Sequence, residues 1–226
     1  MIHCSPLSML IHRNKRILGL MPGPWVDGGC YKGEFIRICK DLFPDRKIYG
    51  FEPIPKRAQQ LGKAFKNMGV QIHEKALGAR DTTRALHILK ANPYSSLLPP
   101  LPELTCALGE RGTEAEQIEV QQVRLDRVLD GPPGLLKLDV QGSEAAALSG
   151  SAGFIMQIHG IILELSHTLR YKGQAPADRL ESRLRKLGFF CVDRVSHKKM
   201  PARGDVWDAL FVSKRITGNT RSEIAL

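Results

Sequence analysis

The sequence predicts an α/β fold in which a mostly parallel β-sheet carries helices on both faces. Three observations support this prediction. Short apolar runs alternate with longer amphipathic stretches along much of the chain. A glycine-rich turn directly follows the first apolar run, as at the start of a βαβ unit. The last two apolar runs are separated only by a loop, which indicates an antiparallel hairpin at one edge of the sheet.

Length and composition fit this fold. The chain has 226 residues, 42% hydrophobic and 25% charged, typical of one globular domain. We expect a single domain over 1–226, with 1–22 as a helical N-terminal extension and 214–226 as a loose polar tail. No apolar stretch is long enough to span a membrane. The five cysteines are scattered, which favours reduced thiols and a cytoplasmic location over disulfides or a zinc site.

Apolar runs and the residues that interrupt them define the predicted elements in order. The predicted strands are residues 25–27, 47–51, 69–74, 117–125, 135–140, 158–165, 188–192 and 206–212. The predicted helices are residues 6–20, 32–43, 55–67 and 177–187, with a further helix starting at 141–144 and a short turn or helix at 125–129. Prolines near 22–24 and at 44 end the first two helices.

Two segments in the middle of the chain are harder to assign. Residues 84–89 have strand character and are expected to pair as a hairpin with part of 71–77. Residues 91–116 contain four prolines and little periodicity, so we predict a long loop or lid there. Within it, residues 94–98 are positioned to face the site.

The first predicted strand runs into a glycine turn, Asp-Gly-Gly-Cys-Tyr-Lys-Gly, at residues 27–33. Gly28 and Gly29 allow a sharp turn, and Gly33 lets a ligand approach the opening helix. A dinucleotide fingerprint would need glycine where Cys30 stands. The turn therefore suits a nucleoside-bearing ligand other than NAD, although an ordinary strand-to-helix turn could use the same glycines.

Glu52 ends the second predicted strand, 25 residues after Asp27. In a doubly wound sheet, ligands lie at the carboxyl ends of the strands, and an acid there can accept both ribose hydroxyls of an adenosine. The alternative is a helix-capping or solvent-facing carboxylate. The glycine turn upstream favours the ribose role.

Acidic side chains also end two later strands. Asp139 closes the strand that contains Lys137, and Glu164 lies near the end of the next strand, shortly before His167. Charged groups in an apolar strand are costly to bury without partners. We therefore expect Asp139 to face a ligand, with an ion pair to Lys137 or a contact with a helix N-terminus as the alternative.

The net charge of +10 is unevenly distributed. Residues 1–100 and 151–226 are basic, whereas 101–150 are acidic. Such asymmetry can attract nucleic acid, anionic lipid or a phosphorylated acceptor, or it can simply keep the surface soluble. No basic run is long or interleaved with aromatic residues, which disfavours a nucleic-acid platform.

Taken in order, these motifs resemble the FkbM methyltransferase family. The resemblance covers roughly residues 24–213 and rests on Val-Asp-Gly-Gly-Cys-Tyr-Lys-Gly-Glu-Phe, Gly-Phe-Glu-Pro, Ala-Leu-Gly, Ser-Ser-Leu, Val-Arg-Leu-Asp, Leu-Lys-Leu-Asp-Val-Gln-Gly-Ser-Glu and Ile-Leu-Glu-Leu. Two departures from the family pattern are Cys30 with Tyr31 in the glycine turn, and Ser166, which separates the last acid motif from His167.

The resemblance implies a class I methyltransferase fold, a Rossmann-like three-layer sandwich around a seven-stranded sheet. It also implies S-adenosylmethionine as the methyl donor and a hydroxyl on a sugar, glycan or natural product as the acceptor, with or without a negative charge. The residues it assigns to cofactor binding are Asp27, Gly28, Gly29, Cys30, Tyr31, Gly33, Glu52, Pro53, Ala76, Leu77, Ser96 and Asp139.

The chemistry of such a transfer identifies candidate catalytic residues. A sulfonium makes its methyl carbon electrophilic, so the protein mainly aligns the acceptor oxygen with it. An alcohol also needs help in losing its proton. Asp139, Glu164 and His167 are the candidates, and histidine titrates closest to neutral pH. The alternative for His167 is a structural role. Asp139 is also a candidate partner for the methionine ammonium. The acids could bind Mg²⁺, but their spacing is not that of a metal site.

Two other functions remain open. An RNA methyltransferase would agree with the positive charge, but the chain has no added RNA-binding module, and Asp139-Val140-Gln141-Gly142 stands where a base-methylating Asn-Pro-Pro-Tyr motif would be. A non-catalytic nucleotide-binding scaffold would use the same glycine turn. Binding of S-adenosylmethionine and the salt dependence of RNA binding separate these functions.

Overall fold

The structure is a computed structural model that describes residues 5–197 and 205–219. Its strands are β1 (Trp25–Gly28), β2 (Ile48–Phe51), β3 (Val70–His73), β4 (Ala76–Leu77), β5 (Thr82–Leu89), β6 (Glu114–Val123), β7 (Leu135–Leu138), β8 (Gly160–Ser166), β9 (Phe189–Ser196) and β10 (Val206–Ser213). Its helices are α1 (Pro6–Arg13), α2 (Lys15–Gly19), α3 (Glu34–Leu42), α4 (Pro55–Ala64), α5 (Pro102–Leu108), α6 (Leu125–Val128), α7 (Glu144–Ser149), α8 (Ala177–Lys186) and α9 (Lys214–Asn219).

Seven strands form the main sheet in the order β3-β2-β1-β7-β8-β10-β9. The first five of these run parallel to one another. β10 is antiparallel to both β8 and β9. The prediction of a mostly parallel seven-stranded sheet with an antiparallel edge hairpin is therefore confirmed.

Helices cover both faces of this sheet because the central strands are apolar on both sides. All four residues of β1 and of β7 are buried. Leu136 packs in a cluster with residues of α7 and α8. Its neighbour Leu135 packs in a second cluster with residues of α1 and α3. Successive residues thus alternate between two cores, which gives three layers.

A second sheet lies beside the first, with the strand order β4-β6-β5. β5 pairs antiparallel with β6 over eight residue pairs, and β4 pairs parallel with β6. The expected hairpin between 84–89 and part of 71–77 is therefore wrong. The physical reason is that β4 has only two residues, so it cannot offer β5 a ladder as long as the one β6 provides.

The predicted long loop at 91–116 is also wrong in part. It contains a 3₁₀ turn at Asn92–Tyr94 and the helix α5, followed by the start of β6. Two of its four prolines, Pro93 and Pro102, lie in the first turn of these helices, where proline is well tolerated. Tyr94 and Leu104 pack with Tyr171 in a small separate core, so the segment is anchored.

The N-terminal segment forms two helices that meet at Asn14. Leu10 and Ile11 of α1 are fully buried in the core shared with α3 and β10, so α1 packs on the sheet. At the other end, α9 occupies the first part of the tail that was predicted to be loose, and residues 220–226 lie outside the described residues. Within the described part of the chain, no helix combines the length and apolar content needed to cross a membrane.

Candidate functional site

A cavity of about 230 Å³ opens at the carboxyl ends of β1, β2, β7 and β8. Nine of the residues predicted for the site line it: Gly29, Tyr31, Glu52, Pro53, Ala76, Leu77, Ser96, Asp139 and Glu164. Five others do not: Asp27, Gly28, Cys30, Gly33 and His167. The strand-end acids predicted from the sequence therefore do meet at one edge of the sheet.

Gly29 forms the sharp turn that closes β1 against β7. Its φ is 83°, and a Cβ placed there would lie 1.9 Å from the carbonyl oxygen of Asp139. Only glycine fits both demands. The Asp139 amide in turn donates to the Gly28 carbonyl (3.0 Å), so the turn and the end of β7 are held together.

Asp27 lies beneath this turn, fully buried. Lys137 Nζ donates to Asp27 Oδ1 (2.8 Å) and to the Gly29 carbonyl (3.0 Å), while Asp139 Oδ2 is 4.0 Å away. Burial alone would lower the pKa of Lys137, but the charges of Asp27 and Asp139 outweigh it and raise that pKa. The main partner of Lys137 is thus Asp27, and this pair secures the floor of the cavity.

Glu52 is only 3% exposed at the end of β2. Its carboxylate accepts hydrogen bonds from the Tyr31 amide (2.9 Å) and the Ile54 amide (3.0 Å). Burial raises the pKa of Glu52, although these bonds and Arg57 oppose the rise. A carboxylate has about four lone-pair sites. Glu52 therefore ties the glycine turn to the β2–α4 turn and keeps acceptor capacity for a ligand.

Gln141 joins the two remaining acids and was missed by sequence reasoning. Its Nε2 donates to Asp139 Oδ1 (2.7 Å) and to Glu164 Oε2 (3.2 Å). Its Oε1 accepts from the Tyr171 hydroxyl (2.9 Å), which fixes the amide orientation. Ser96 Oγ also donates to the Gln141 carbonyl (2.6 Å). The signal in the sequence was Gly142, because the turn has φ of 51° at Gln141 and 94° at Gly142.

Asp139 and Glu164 consequently face the cavity as neighbouring acids. Burial and the nearby charge of Glu164 raise the pKa of Asp139, and Lys137 opposes this. Arg170 Nη2 forms an ion pair with Glu164 Oε2 at 3.0 Å. An extra cation placed between Asp139 and Glu164 would relieve their repulsion.

His167, which was predicted at the site, does not line the cavity, whereas His197, for which no prediction was made from the sequence, does. His167 is exposed, and its ring centroid is 4.7 Å from that of Trp207. The imidazole that lines the cavity belongs to His197. Sequence reasoning missed His197 because it reaches the site only through the antiparallel pairing of β9 with β10, a long-range contact.

Glu144 supports the loop that carries Gln141. It is 4% exposed, and its Oε1 accepts from the amides of Val140 (3.1 Å) and Gly142 (3.2 Å). Burial raises the pKa of Glu144 from 4.5 to about 7, against the effect of these bonds and with a further rise from Asp139 and Glu164.

A pH-dependent stability follows from Glu144. A carboxyl whose pKa is raised in the folded state stabilises the fold below its unfolded pKa, and this contribution is lost as the pH rises through the folded pKa. At about 1.36 kcal/mol per pKa unit, the rise from 4.5 to about 7 corresponds to roughly 3 kcal/mol. Glu144→Gln keeps the acceptor oxygen without titrating. We expect the difference in unfolding free energy, wild type minus variant, to fall by this amount between pH 4.5 and about 8 in denaturant titrations. A difference independent of pH would contradict this.

Metal ligands are not grouped in the described residues. Over 5–197 and 205–219, no cluster of three or more His, Cys, Asp or Glu side chains has the geometry to hold a metal ion. Nothing here supports the Mg²⁺ site considered from the sequence.

The strand order and the cavity at the strand ends define a class I methyltransferase fold. Two solved structures share it, both 14% identical to this chain with a TM-score of 0.51. One is the methyltransferase FkbM from Methylobacillus flagellatus KT, aligned over 84% of this chain and 45% of that one. The other is the magnesium protoporphyrin IX methyltransferase ChlM from Synechocystis PCC 6803 with bound SAM (S-adenosylmethionine), aligned over 92% and 77%.

The family is identified by the sequence itself. The FkbM methyltransferase domain model matches residues 27–191, which is most of the chain, so this protein belongs to the FkbM methyltransferase family. The chain spans less than half the length of the Methylobacillus protein. No curated protein matches it at a significant level.

Proposed function

We propose that this protein transfers a methyl group from S-adenosylmethionine to a hydroxyl of a sugar, glycan or natural-product acceptor. The observation that carries the proposal is one cavity with Glu52 at the end of β2 and the Asp139–Glu164 pair at the ends of β7 and β8. Glu52 can bind a ribose, the Asp139–Glu164 pair can bind a cationic group, and the Gly29 turn lies between the strands that carry them.

The residues in the cavity fit this cofactor. Glu52 is buried with acceptor capacity left, which suits two ribose hydroxyls. Apolar side chains suited to an adenine line the space around it: Phe51, Ile54, Leu77 and Leu97. Asp139 and Glu164 supply negative charge where a sulfonium and an ammonium would be stabilised. ChlM of Synechocystis, which shares the fold, was also solved with bound SAH (S-adenosylhomocysteine).

The cofactor supplies an electrophilic methyl carbon on a sulfonium, and the chain has to align and deprotonate the acceptor. The Gly29 turn and the bridge through Gln141 fix Asp139 and Glu164 relative to each other. Such fixed geometry supplies much of the rate acceleration in a displacement reaction. These two carboxylates can also accept a proton, and an attacking hydroxyl has to lose its proton.

A second cavity supports an anionic acceptor. It has a volume of about 270 Å³ and adjoins the first at Tyr31 and Arg57. Lys32, Arg37 and Arg57 line it, and among the described residues around it none is acidic. We propose that a phosphate or carboxylate of the acceptor binds there. A screen should therefore show faster methyl transfer to phosphorylated sugars than to the same sugars without phosphate.

Cofactor binding is the first test of the proposal. We expect calorimetry on the purified protein to detect S-adenosylmethionine and S-adenosylhomocysteine, with much weaker binding of NAD and FAD, because Cys30 interrupts the dinucleotide fingerprint. Clear binding of NAD together with no heat from the first two ligands would overturn it. Binding without methyl transfer to any acceptor would favour the scaffold function, and salt-dependent RNA binding would favour an RNA acceptor.

Glu52 allows a sharper test. Hydrogen bonds to a charged group contribute about 1.5–3 kcal/mol each, so Glu52→Ala should raise the dissociation constant for S-adenosylhomocysteine by at least about tenfold. The change also removes the partner of two backbone amides. Thermal unfolding must therefore be followed in parallel.

Glu74→Ala is the matched control, because Glu74 is an exposed acid just after the neighbouring strand β3. It should leave affinity unchanged. An unaltered dissociation constant in a folded Glu52→Ala protein would show that Glu52 only ties the two turns together. We also propose that residues 1–226 form a single domain and that the protein is cytoplasmic, since its scattered cysteines favour reduced thiols.

A further inference from the structure

His197 reaches the cavity through the register of the edge hairpin. Its amide donates to the Val206 carbonyl (2.9 Å), directly after β9 ends. Val206 in turn pairs with Ser166, the last residue of β8. Because β10 is antiparallel to β8, the start of β10 lies at the carboxyl end of β8. The hairpin thus delivers one imidazole to the edge where the ligand cavity opens.

This imidazole lies between two acids. Asp208 of β10 pairs directly across from Glu164 of β8, and side chains of such a pair share one face of the sheet. His197 Nε2 is 3.0 Å from Asp208 Oδ2, and its Nδ1 is 4.0 Å from Glu164 Oε1. Like charges directly across a strand pair repel each other. A protonated imidazole between them would be stabilised by both.

The environment of Asp208 fixes which nitrogen can accept a proton. Its side chain is 9% exposed, and a carboxylate can only accept a hydrogen bond. Nε2 of His197 therefore carries the hydrogen that faces Asp208. In the neutral imidazole, the lone pair then belongs to Nδ1, on the side of Glu164. Both Glu164 and His197 line the cavity, as does Asp139.

We propose that His197 is the general base for the acceptor hydroxyl, with Asp208 as the positioning residue that fixes its tautomer. This inference rests on the proposed methyl transfer. The acceptor O–H bond breaks and its proton goes to Nδ1 of His197. The oxygen electron pair forms the new O–C bond, while the C–S bond breaks and leaves its electron pair on sulfur. Glu164 and Asp208 then face the imidazolium.

A base and a purely structural residue differ in their effects on turnover and on binding, so the test of His197 measures the catalytic rate and ligand binding together. We expect His197→Gln to lower kcat by at least 10²-fold, the scale of a lost general base, with less than a threefold change in the acceptor KM. Its dissociation constant for S-adenosylhomocysteine should stay within threefold of wild type. The control is His12→Gln, which removes an exposed imidazole on α1. It should leave kcat, the acceptor KM and the dissociation constant unchanged.

Asp208 has a signature that does not depend on turnover. Long-range ¹H–¹⁵N NMR correlations distinguish the two tautomers of an imidazole, and we expect the Nε2–H form at His197 in the wild type. Asp208→Asn should shift that population and lower kcat at least tenfold. The Nδ1–H form in the wild type would overturn the inference, whatever the activity.

The remaining outcomes separate this inference from the proposed function. Wild-type protein that transfers a methyl group while His197→Gln keeps more than half of its kcat overturns the role of His197 and leaves the function intact. A fall in kcat for His167→Gln instead would assign the base to His167. No binding of S-adenosylhomocysteine by the wild type would overturn the function and this inference together.

Discussion

Replacing Lys137 with methionine should lower the free energy of unfolding by about 3–5 kcal/mol, the cost of leaving a buried charge without its partner. Asp27 is 0% exposed, and Lys137 Nζ is the donor to its Oδ1 at 2.8 Å. The second oxygen, Oδ2, has no hydrogen-bond partner among the described residues. Methionine has a similar length and fills the same space, so the effect reports charge rather than a cavity.

A double substitution and a surface control complete this test. Asp27→Asn with Lys137→Met removes both charges and should recover most of the lost stability, because the two effects are coupled through one ion pair. Lys66→Met removes an exposed lysine and should change the unfolding free energy by less than about 0.5 kcal/mol. Denaturant titration measures all three. A loss below about 1 kcal/mol for Lys137→Met would mean that the pair contributes no more than an exposed ion pair does.

The Asp27–Lys137 pair illustrates which parts of the fold could be predicted from the sequence. β1 and β7 are short apolar runs that end in a turn and an acid, so local sequence was enough to find them. Which strands lie side by side in the sheet could not be predicted from local sequence. Sequence reasoning therefore considered Asp139 as the partner of Lys137, whereas β1 lies beside β7 and brings Asp27 closer. The wrong hairpin for 84–89 has the same origin, since the partner β6 is remote in the chain.

Site residues also differ in whether local sequence was enough to predict them. Residues at strand ends, such as Glu52 and Glu164, could be predicted because parallel strands bring their carboxyl ends to one edge. Gln141 could not be, since its role depends on a left-handed turn that points its amide between two acids. His197 depends on the register of β9 and β10, and Asp208 lies inside an apolar strand where its partner was not visible in the sequence.

Asp139→Asn should lower methyl transfer by about 10²-fold, the scale of a lost group in acid–base or charge stabilisation. Asp139 directly follows β7 and lines the cavity together with Gly29 and Glu164. Asparagine keeps an oxygen that can accept from Gln141 Nε2, as Asp139 Oδ1 does at 2.7 Å. The substitution therefore removes the charge and leaves the bridge to Glu164. The measurement is labelled methyl transfer to the hydroxyl acceptor found by screening, with kcat and KM determined separately.

Two controls decide what Asp139 does in that reaction. Asp130→Asn removes an exposed acid of the same type and should leave the rate unchanged. Binding of S-adenosylhomocysteine is compared with that of 5′-methylthioadenosine, which lacks the amino-acid end. If Asp139 holds the ammonium, only the first ligand loses affinity in Asp139→Asn. If both affinities persist and the rate still falls, Asp139 acts on the acceptor or the transferred methyl group. Full transfer in Asp139→Asn would instead move the reaction centre away from the end of β7, even with Glu52 still required for binding.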